Sequence, residues 1–159
     1  MLRYFALPTA AAPHGLPFDL ARLRRRRHLV VFFHHGADCA ACQAALSDLA
    51  ANAAPITAEG ATIISVGPDA PLLHTPDSAT DNMALIALVD PTMQASAAQG
   101  VTAPTLMLAD RFGEVYARWS DPDHALPSAT EVVAWLLRID TLCNECTTPE
   151  WEATRYTSE

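Results

Sequence analysis

The chain contains no lysine. All ten of its basic residues are arginine, and alanine is abundant; a coding bias toward those two residues explains both without a functional reason. Long apolar runs are missing as well. No stretch approaches the ~20 residues that cross a bilayer as a helix, so no membrane association is expected. Basic charge is scarce against acidic, and the formal net charge is −8 at pH 7. That balance argues against general nucleic-acid binding and says nothing about fold. The first twelve residues, Met1 to Ala12, carry one arginine and a short apolar stretch broken by Pro8. A secretory signal has a longer apolar core, so a cytoplasmic protein is expected. No internal repeat is visible.

What is present is a chain of 159 residues, half of them hydrophobic. That suits one compact domain with extensions and a sizeable core. The four cysteines form two C-x-x-C pairs, Cys39/Cys42 and Cys143/Cys146. In a reducing cytosol a lasting structural disulfide is disfavoured, which leaves redox chemistry or metal binding as the usual uses. For Cys39-Ala40-Ala41-Cys42 the placement favours redox chemistry. The motif follows the apolar run Leu29–Phe33 and opens an apolar-rich helical segment. A thiol in the first helical turn feels backbone N–H groups and the positive end of the dipole, which stabilise the thiolate. The thiolate is the nucleophile of disulfide exchange.

The rest of the chain supplies a scaffold for that junction. Pro8, Pro13 and Pro17 punctuate an irregular lead-in, and Arg24 to Arg27 form a basic run, either a solvated connection or a site for an anionic partner. Leu29–Phe33 reads as a strand covered on both faces, being β-branched and aromatic without alternation. Gly36 marks a turn, and Asp38 is placed to cap a helix over 39–52. Leu46 and Leu49 share a face of that helix. A second strand spans 62–66 and stops at Gly67-Pro68, and prolines 68, 71 and 76 predict a loop to about residue 79. A short helix over 81–85, a short strand over 86–89 and a helix from Asp90-Pro91 to Gln99 follow, with Pro91 at the first helical position. Residues 105–109 and 114–119 form a hairpin about the turn Asp110-Arg111-Phe112-Gly113. Ser128 and Glu131 complete a capping box for a last helix to about Asp140, burying Val132, Trp135, Leu136 and Ile139. Trp119 has no evident place. Parallel strands joined by helices, with an antiparallel hairpin, predict an α/β fold: a mixed central sheet covered by helices on both faces.

This order, with C-x-x-C after the first core strand and Val101-Thr102-Ala103-Pro104-Thr105 before the hairpin strand, resembles the thioredoxin fold. Thr105 to Tyr116, TLMLADRFGEVY, and the lead-in Gly15-Leu16-Pro17-Phe18-Asp19-Leu20 resemble its redoxin branch, which holds peroxiredoxins and the thioredoxins of cytochrome maturation. The resemblance covers residues 15–140, with residues 1–14 as an N-terminal extension and 141–159 as a tail carrying the second C-x-x-C. It implies that Pro104 is the branch's cis-proline and that a substrate peptide pairs with the backbone at Ala103, with Thr105 beside it. A strand-start proline in an ordinary turn is the plainer reading of Pro104. The chain also departs from its relatives. Asp38 stands where thioredoxin has tryptophan, and Ala40-Ala41 replace Gly-Pro. Phe33 stands where thioredoxin has a buried aspartate. In peroxiredoxins the motif Pro-x-x-x-Thr-x-x-Cys shapes the peroxide site; counting back from Cys39 gives Gly36 and Phe32, and from Cys42 gives Cys39 and His35. Neither cysteine has that site.

The expected reaction is therefore thiol–disulfide exchange. Cys39 is the nucleophile at the exposed helix start, and Cys42 resolves the mixed disulfide. His34 and His35 are candidates to lower a thiol pKa or move protons. They lie on opposite faces if the strand continues, so at most one faces the thiols. Asp38 opposes a thiolate only if its carboxylate faces the sulfur. The cysteines carry the electrons, so no cofactor and no metal is expected at this site. The expected partners are a disulfide-containing protein or small thiol, and a reductant or reductase. Two rivals stand beside this reading: a divergent peroxiredoxin-like hydroperoxide reductase, and a non-enzymatic metal-binding or interaction module. For Cys143/Cys146 a local disulfide, half of a metal site and unbonded thiols all stay open. The last helix, running away from the active-site end, should carry the chain ~20 Å and leave that pair at the opposite pole.

Overall fold

The computed structural model describes residues 20–69, 84–101, 104–120 and 125–142. The lead-in, most of the proline-rich loop after residue 69, Thr102, Ala103 and the tail with Cys143 and Cys146 lie outside the described residues. Among the described residues a 3₁₀ turn, Leu20–Arg22, precedes β1 (His28–Phe33). Then come α1 (Ala40–Ala51), α2 (Ala53–Ala58), β2 (Ala61–Gly67), β3 (Leu85–Val89), α3 (Gln94–Ala98), β4 (Thr105–Ala109), β5 (Val115–Ser120) and α4 (Ala129–Thr141).

The five strands form one mixed sheet in the order β3-β2-β1-β4-β5. β1 pairs parallel with β2 and antiparallel with β4, and β5 closes the hairpin at the edge. β1 and β2 are buried along their whole length, which is why their sequences are continuously apolar rather than alternating. Alternation still sorts their side chains between two cores. Val30, Phe32, Ile63, Leu106 and Leu108 meet Cys42, Leu46 and Leu49 of α1, Ile56 of α2 and Val132, Leu136 and Ile139 of α4. On the other face Leu29, Val31, Phe33, Ile64, Val66 and Met107 meet Leu23, Ala95 and Val101. Each fully buried aliphatic side chain contributes about 1.5–3 kcal/mol, so helices on both faces are held by burial.

The predicted capping box is present: Ser128 Oγ accepts from Glu131 N, and Glu131 Oε2 accepts from Ser128 N. Ser128 N and Ser128 Oγ both donate to Glu131 Oε2, and these two bonds hold the Glu131 carboxyl below the ordinary carboxylate range. Trp135 is half-buried rather than part of the core. Its ring meets Trp119 edge-on at 5.8 Å, which gives Trp119 its place, and the Arg138 guanidinium lies over it at 5.3 Å.

Four local expectations need correction. Cys39, not Asp38, is the N-cap of α1. The helix expected from Pro91 begins only at Gln94, because the Asp90 carboxylate reaches past the turn to accept from Gln94 N and Ala95 N at 3.1 and 2.8 Å. It thereby satisfies the orphan donors of the first turn there, not at Pro91. Leu85, expected to end a short helix, starts β3 instead, because it pairs with Ile63. Finally, α2 follows α1 after a break at Asn52, with Pro55 in its first turn where proline costs no helical bond.

Candidate active site

The C-terminal ends of β1 and β2 and the start of β4 converge at one edge of the sheet. The parallel register pairs Phe33 with Val66, and the antiparallel register pairs it with Thr105. One step further, His34 lies between Gly67 and Pro104. The chain then turns through Gly36, whose φ of +114° is open to glycine and strained for other residues, and enters α1.

That turn puts Cys39 at the N-cap. Its Sγ accepts from Cys42 N at 3.3 Å, so the sulfur occupies the place a serine or aspartate oxygen takes in an ordinary cap. The sulfur thus lies at the N-terminal end of α1, where the backbone N–H groups point. Cys42 lies one turn deeper and is fully buried, while Cys39 is partly exposed. Cys42 Sγ accepts from His35 N at 3.5 Å. A thiol at the surface with a second thiol directly behind it is the geometry that two-step disulfide exchange requires.

The two histidines divide. His34 stays on the face of Phe32 and is buried, its ring roughly parallel to that of Phe32. Its Nδ1 accepts from Gly36 N at 3.1 Å, and its Nε2 has no partner among the described residues. This assigns the proton of the neutral ring to Nε2. Burial holds the imidazole below the ordinary histidine range; the Asp69 carboxylate pulls it partly back, and His35 pushes it further down. His35, beyond the end of the strand, is exposed, and one of its ring nitrogens lies within 4.8 Å of both sulfurs.

The His34 shift has a consequence for stability. The folded state prefers neutral His34, so the unfolded chain binds more protons below about pH 6.5. Stability is complete above that value and falls as the pH drops through the lowered pKa. Urea unfolding at a series of pH values from 7.5 to 4.5 should show this slope, and His34→Asn, which keeps an acceptor for Gly36 N, should flatten it.

Several other expected residues are placed differently. Asp38 is exposed in the turn and does not cap. Phe33 is buried on the sheet face away from α1, so no side chain at that position approaches the thiols; Phe32 and His34 occupy the near face. Pro104 is buried beside the site. Thr105 is buried as well, and its hydroxyl is engaged by Ser120 Oγ at 2.8 Å, so it braces β4 against β5. Ala103 lies outside the described residues. Two residues escaped the sequence reading. Gly67 makes room for the His34 ring, and Asp69 Oδ2 accepts from Ala37 N at 3.3 Å, holding the turn that carries Cys39. The run Gly67-Pro68-Asp69 at a strand end was the available signal. No helix among the described residues is long and apolar enough to cross a membrane.

Comparison with known proteins agrees with this architecture. The profile of the AhpC/TSA family matches residues 3–118. Among solved structures, the bacterioferritin comigratory protein of Xanthomonas campestris, studied for alkyl peroxide reduction, superimposes with a TM-score of 0.65 at 18% identity, covering 85% of this chain and 97% of that one. Peroxidoxin BcpB of Mycobacterium tuberculosis gives 0.67 at 14% identity, covering 87% and 96%. The exposed lipoprotein thioredoxin Etrx1 of Streptococcus pneumoniae gives 0.60 at 17% identity, covering 84% and 99%. Similarity at this level shows the thioredoxin fold. No curated protein sequence matches the chain significantly.

Proposed function

This chain belongs to the AhpC/TSA family, and on that premise we propose that it is a thiol–disulfide oxidoreductase working through Cys39 and Cys42. Family membership supports thiol-based redox chemistry. The observation that carries the finer assignment is the N-cap thiol of Cys39, partly exposed, with Cys42 buried one helical turn behind it.

The steps follow from that arrangement. Cys39 thiolate attacks one sulfur of a substrate disulfide, the substrate S–S bond breaks, and one substrate thiolate leaves. Cys42 must then lose its proton to attack Cys39 Sγ. His35 is the base within reach, its ring nitrogen lying within 4.8 Å of the Cys42 sulfur. The attack closes the Cys39–Cys42 disulfide and expels the second substrate thiol, which takes up the proton. Two electrons pass from the protein to the substrate, and a second thiol system must return them. The substrate is a disulfide-containing protein or small molecule, and the setting is the cytoplasm, where a reductant or reductase keeps both thiols reduced. The backbone beside Pro104 is the edge on which a peptide substrate would pair.

Hydroperoxide reduction is the rival, favoured by the family and by what the Xanthomonas relative does. Against it stand Gly36 and Phe32, at the positions where a peroxide site needs a threonine hydroxyl and a proline. Gly36 offers no hydroxyl, and Phe32 is fully buried in the core. The two readings part in one experiment: the reduced protein is mixed with a small dialkyl disulfide or with an alkyl hydroperoxide, and loss of Cys39 thiol is followed by stopped flow. The disulfide should react faster at equal concentration. A faster peroxide reaction would replace the oxidoreductase reading with the peroxidase one.

A further inference from the structure

His35, Cys39 and Cys42 are a base and two nucleophiles in the reaction above, yet the same three side chains form a ligand set. We propose that the reduced protein also binds one divalent cation of the zinc class through a His35 ring nitrogen, Cys39 Sγ and Cys42 Sγ, with the fourth tetrahedral position open. The three ligand atoms already lie within 4.8 Å of one another. Tetrahedral coordination, with Zn–S near ~2.3 Å and Zn–N near ~2.0 Å, places such atoms roughly 3.5–3.8 Å apart. Exposed His35 and partly exposed Cys39 can supply that contraction by side-chain rotation, while buried Cys42 stays fixed.

A second observation points the same way. Each sulfur accepts one backbone N–H: Cys39 Sγ from Cys42 N at 3.3 Å, and Cys42 Sγ from His35 N at 3.5 Å. Such bonds stabilise thiolate charge and orient the sulfur, as outer-shell partners do in metal sites. A bare cation would be repelled by the positive end of α1, but a divalent ion with two thiolates is neutral, so the dipole does not oppose the complex. Softness selects the ion. Two thiolates and an imidazole suit zinc, and they do not suit magnesium or calcium.

Binding displaces one proton from each thiol, and neutral His35 supplies its lone pair. The ion holds both sulfurs, so it blocks attack by Cys39. Once the ion has dissociated, unchanged in oxidation state, a substrate disulfide takes two electrons from the two thiolates, closes the Cys39–Cys42 bond and leaves as two thiolates. The site is thus available only to the reduced protein, and ion and disulfide exclude each other.

The test uses the full chain with Cys143→Ser and Cys146→Ser, so that the second C-x-x-C offers no sulfur. Reduced, metal-free protein is titrated with Zn²⁺ against a chromophoric chelator, and with Co²⁺ for the visible spectrum. The expected result is one zinc per chain, thiolate-to-cobalt charge transfer with intense tetrahedral bands, and protection of Cys39 from alkylation. His35→Ala should weaken zinc by at least about tenfold, Cys39→Ser should remove tight binding, and the oxidised protein should bind none. Circular dichroism checks that each variant is folded. Absence of zinc binding, or an affinity that neither His35→Ala nor Cys39→Ser changes, overturns the proposal. Disulfide exchange assayed with chelator present is a separate readout, so failure of the oxidoreductase reading leaves the zinc result standing.

Discussion

Cys39→Ser should abolish the proposed disulfide exchange, whereas Cys42→Ser should stop it halfway, with substrate covalently held on Cys39. The difference follows from depth. Cys39 is the thiol a substrate can reach, and its sulfur sits at the helix N-cap where Cys42 N donates to it. A serine hydroxyl in that place still caps α1, so the variant stays folded, but it does not attack sulfur at neutral pH. Cys42 is fully buried, so on the proposed mechanism it meets only the mixed disulfide. Without it, release of the second substrate thiol has no internal nucleophile. Incubating Cys42→Ser with a disulfide-bonded peptide and measuring intact mass should show one peptide per chain, removed by dithiothreitol. Cys39→Ser should show none. Cys146→Ser should keep most of the wild-type turnover, because α4 runs away from the thiols. Asp140 near its end binds His28 Nε2 at 2.9 Å, at the start of β1, and Cys39 follows the other end of that strand. Loss of turnover in Cys146→Ser equal to that in Cys39→Ser would mean that the second pair reaches the first.

Gly67→Ala should destabilise the protein by about 3 kcal/mol, the upper part of the overpacking range. The added Cβ would fall 2.1 Å from His34 Cε1, 2.3 Å from Nε2 and 2.4 Å from Nδ1. The ring has little freedom to yield, since it is buried and its Nδ1 is bonded to Gly36 N. The backbone of Gly67 is ordinary strand, so the cost is steric and local. For a chain of this size such a loss lowers Tm by roughly 6–12 °C. The effect should be strongly non-additive with His34→Ala, which removes the obstacle: the double variant should recover part of the stability lost by Gly67→Ala alone. The ring's displacement would also move the turn that carries His35 and Cys39, so exchange should slow in Gly67→Ala. Thermal melts of the two single variants and the double variant check all of this, and a Gly67→Ala protein as stable as wild type would show that the ring has another place to go.

Features coded by neighbours in sequence were readable before the structure: the apolar strand, the C-x-x-C after it, the hairpin turn and the Ser128–Glu131 box. What was unreadable depended on pairing across the sheet or on a side chain reaching past its own turn. The close approach of His34 to Gly67 requires the β1–β2 register, which no local pattern states. Asp90 moves the start of α3 by bonding Gln94 N and Ala95 N, against the ordinary preference for proline at a helix start. The two histidines illustrate the same division. Alternation holds for His34, which remains in line with the strand, and lapses for His35, which lies past its end and swings toward the sulfurs. The sequence points to Asp38 as the cap; the structure has Cys39 there, one residue on, and that single step puts its sulfur at the helix end.

On the proposed mechanism Cys39 and Cys42 form a working dithiol. The most direct measurement equilibrates the protein in graded glutathione buffers, quenches by alkylation and reads the peptide carrying both cysteines by mass spectrometry. A reversible two-electron transition is predicted, with midpoint shifts of 30 mV corresponding to about 1.4 kcal/mol. Two thiols that stay reduced at every ratio, or that never become accessible to alkylation, would contradict it.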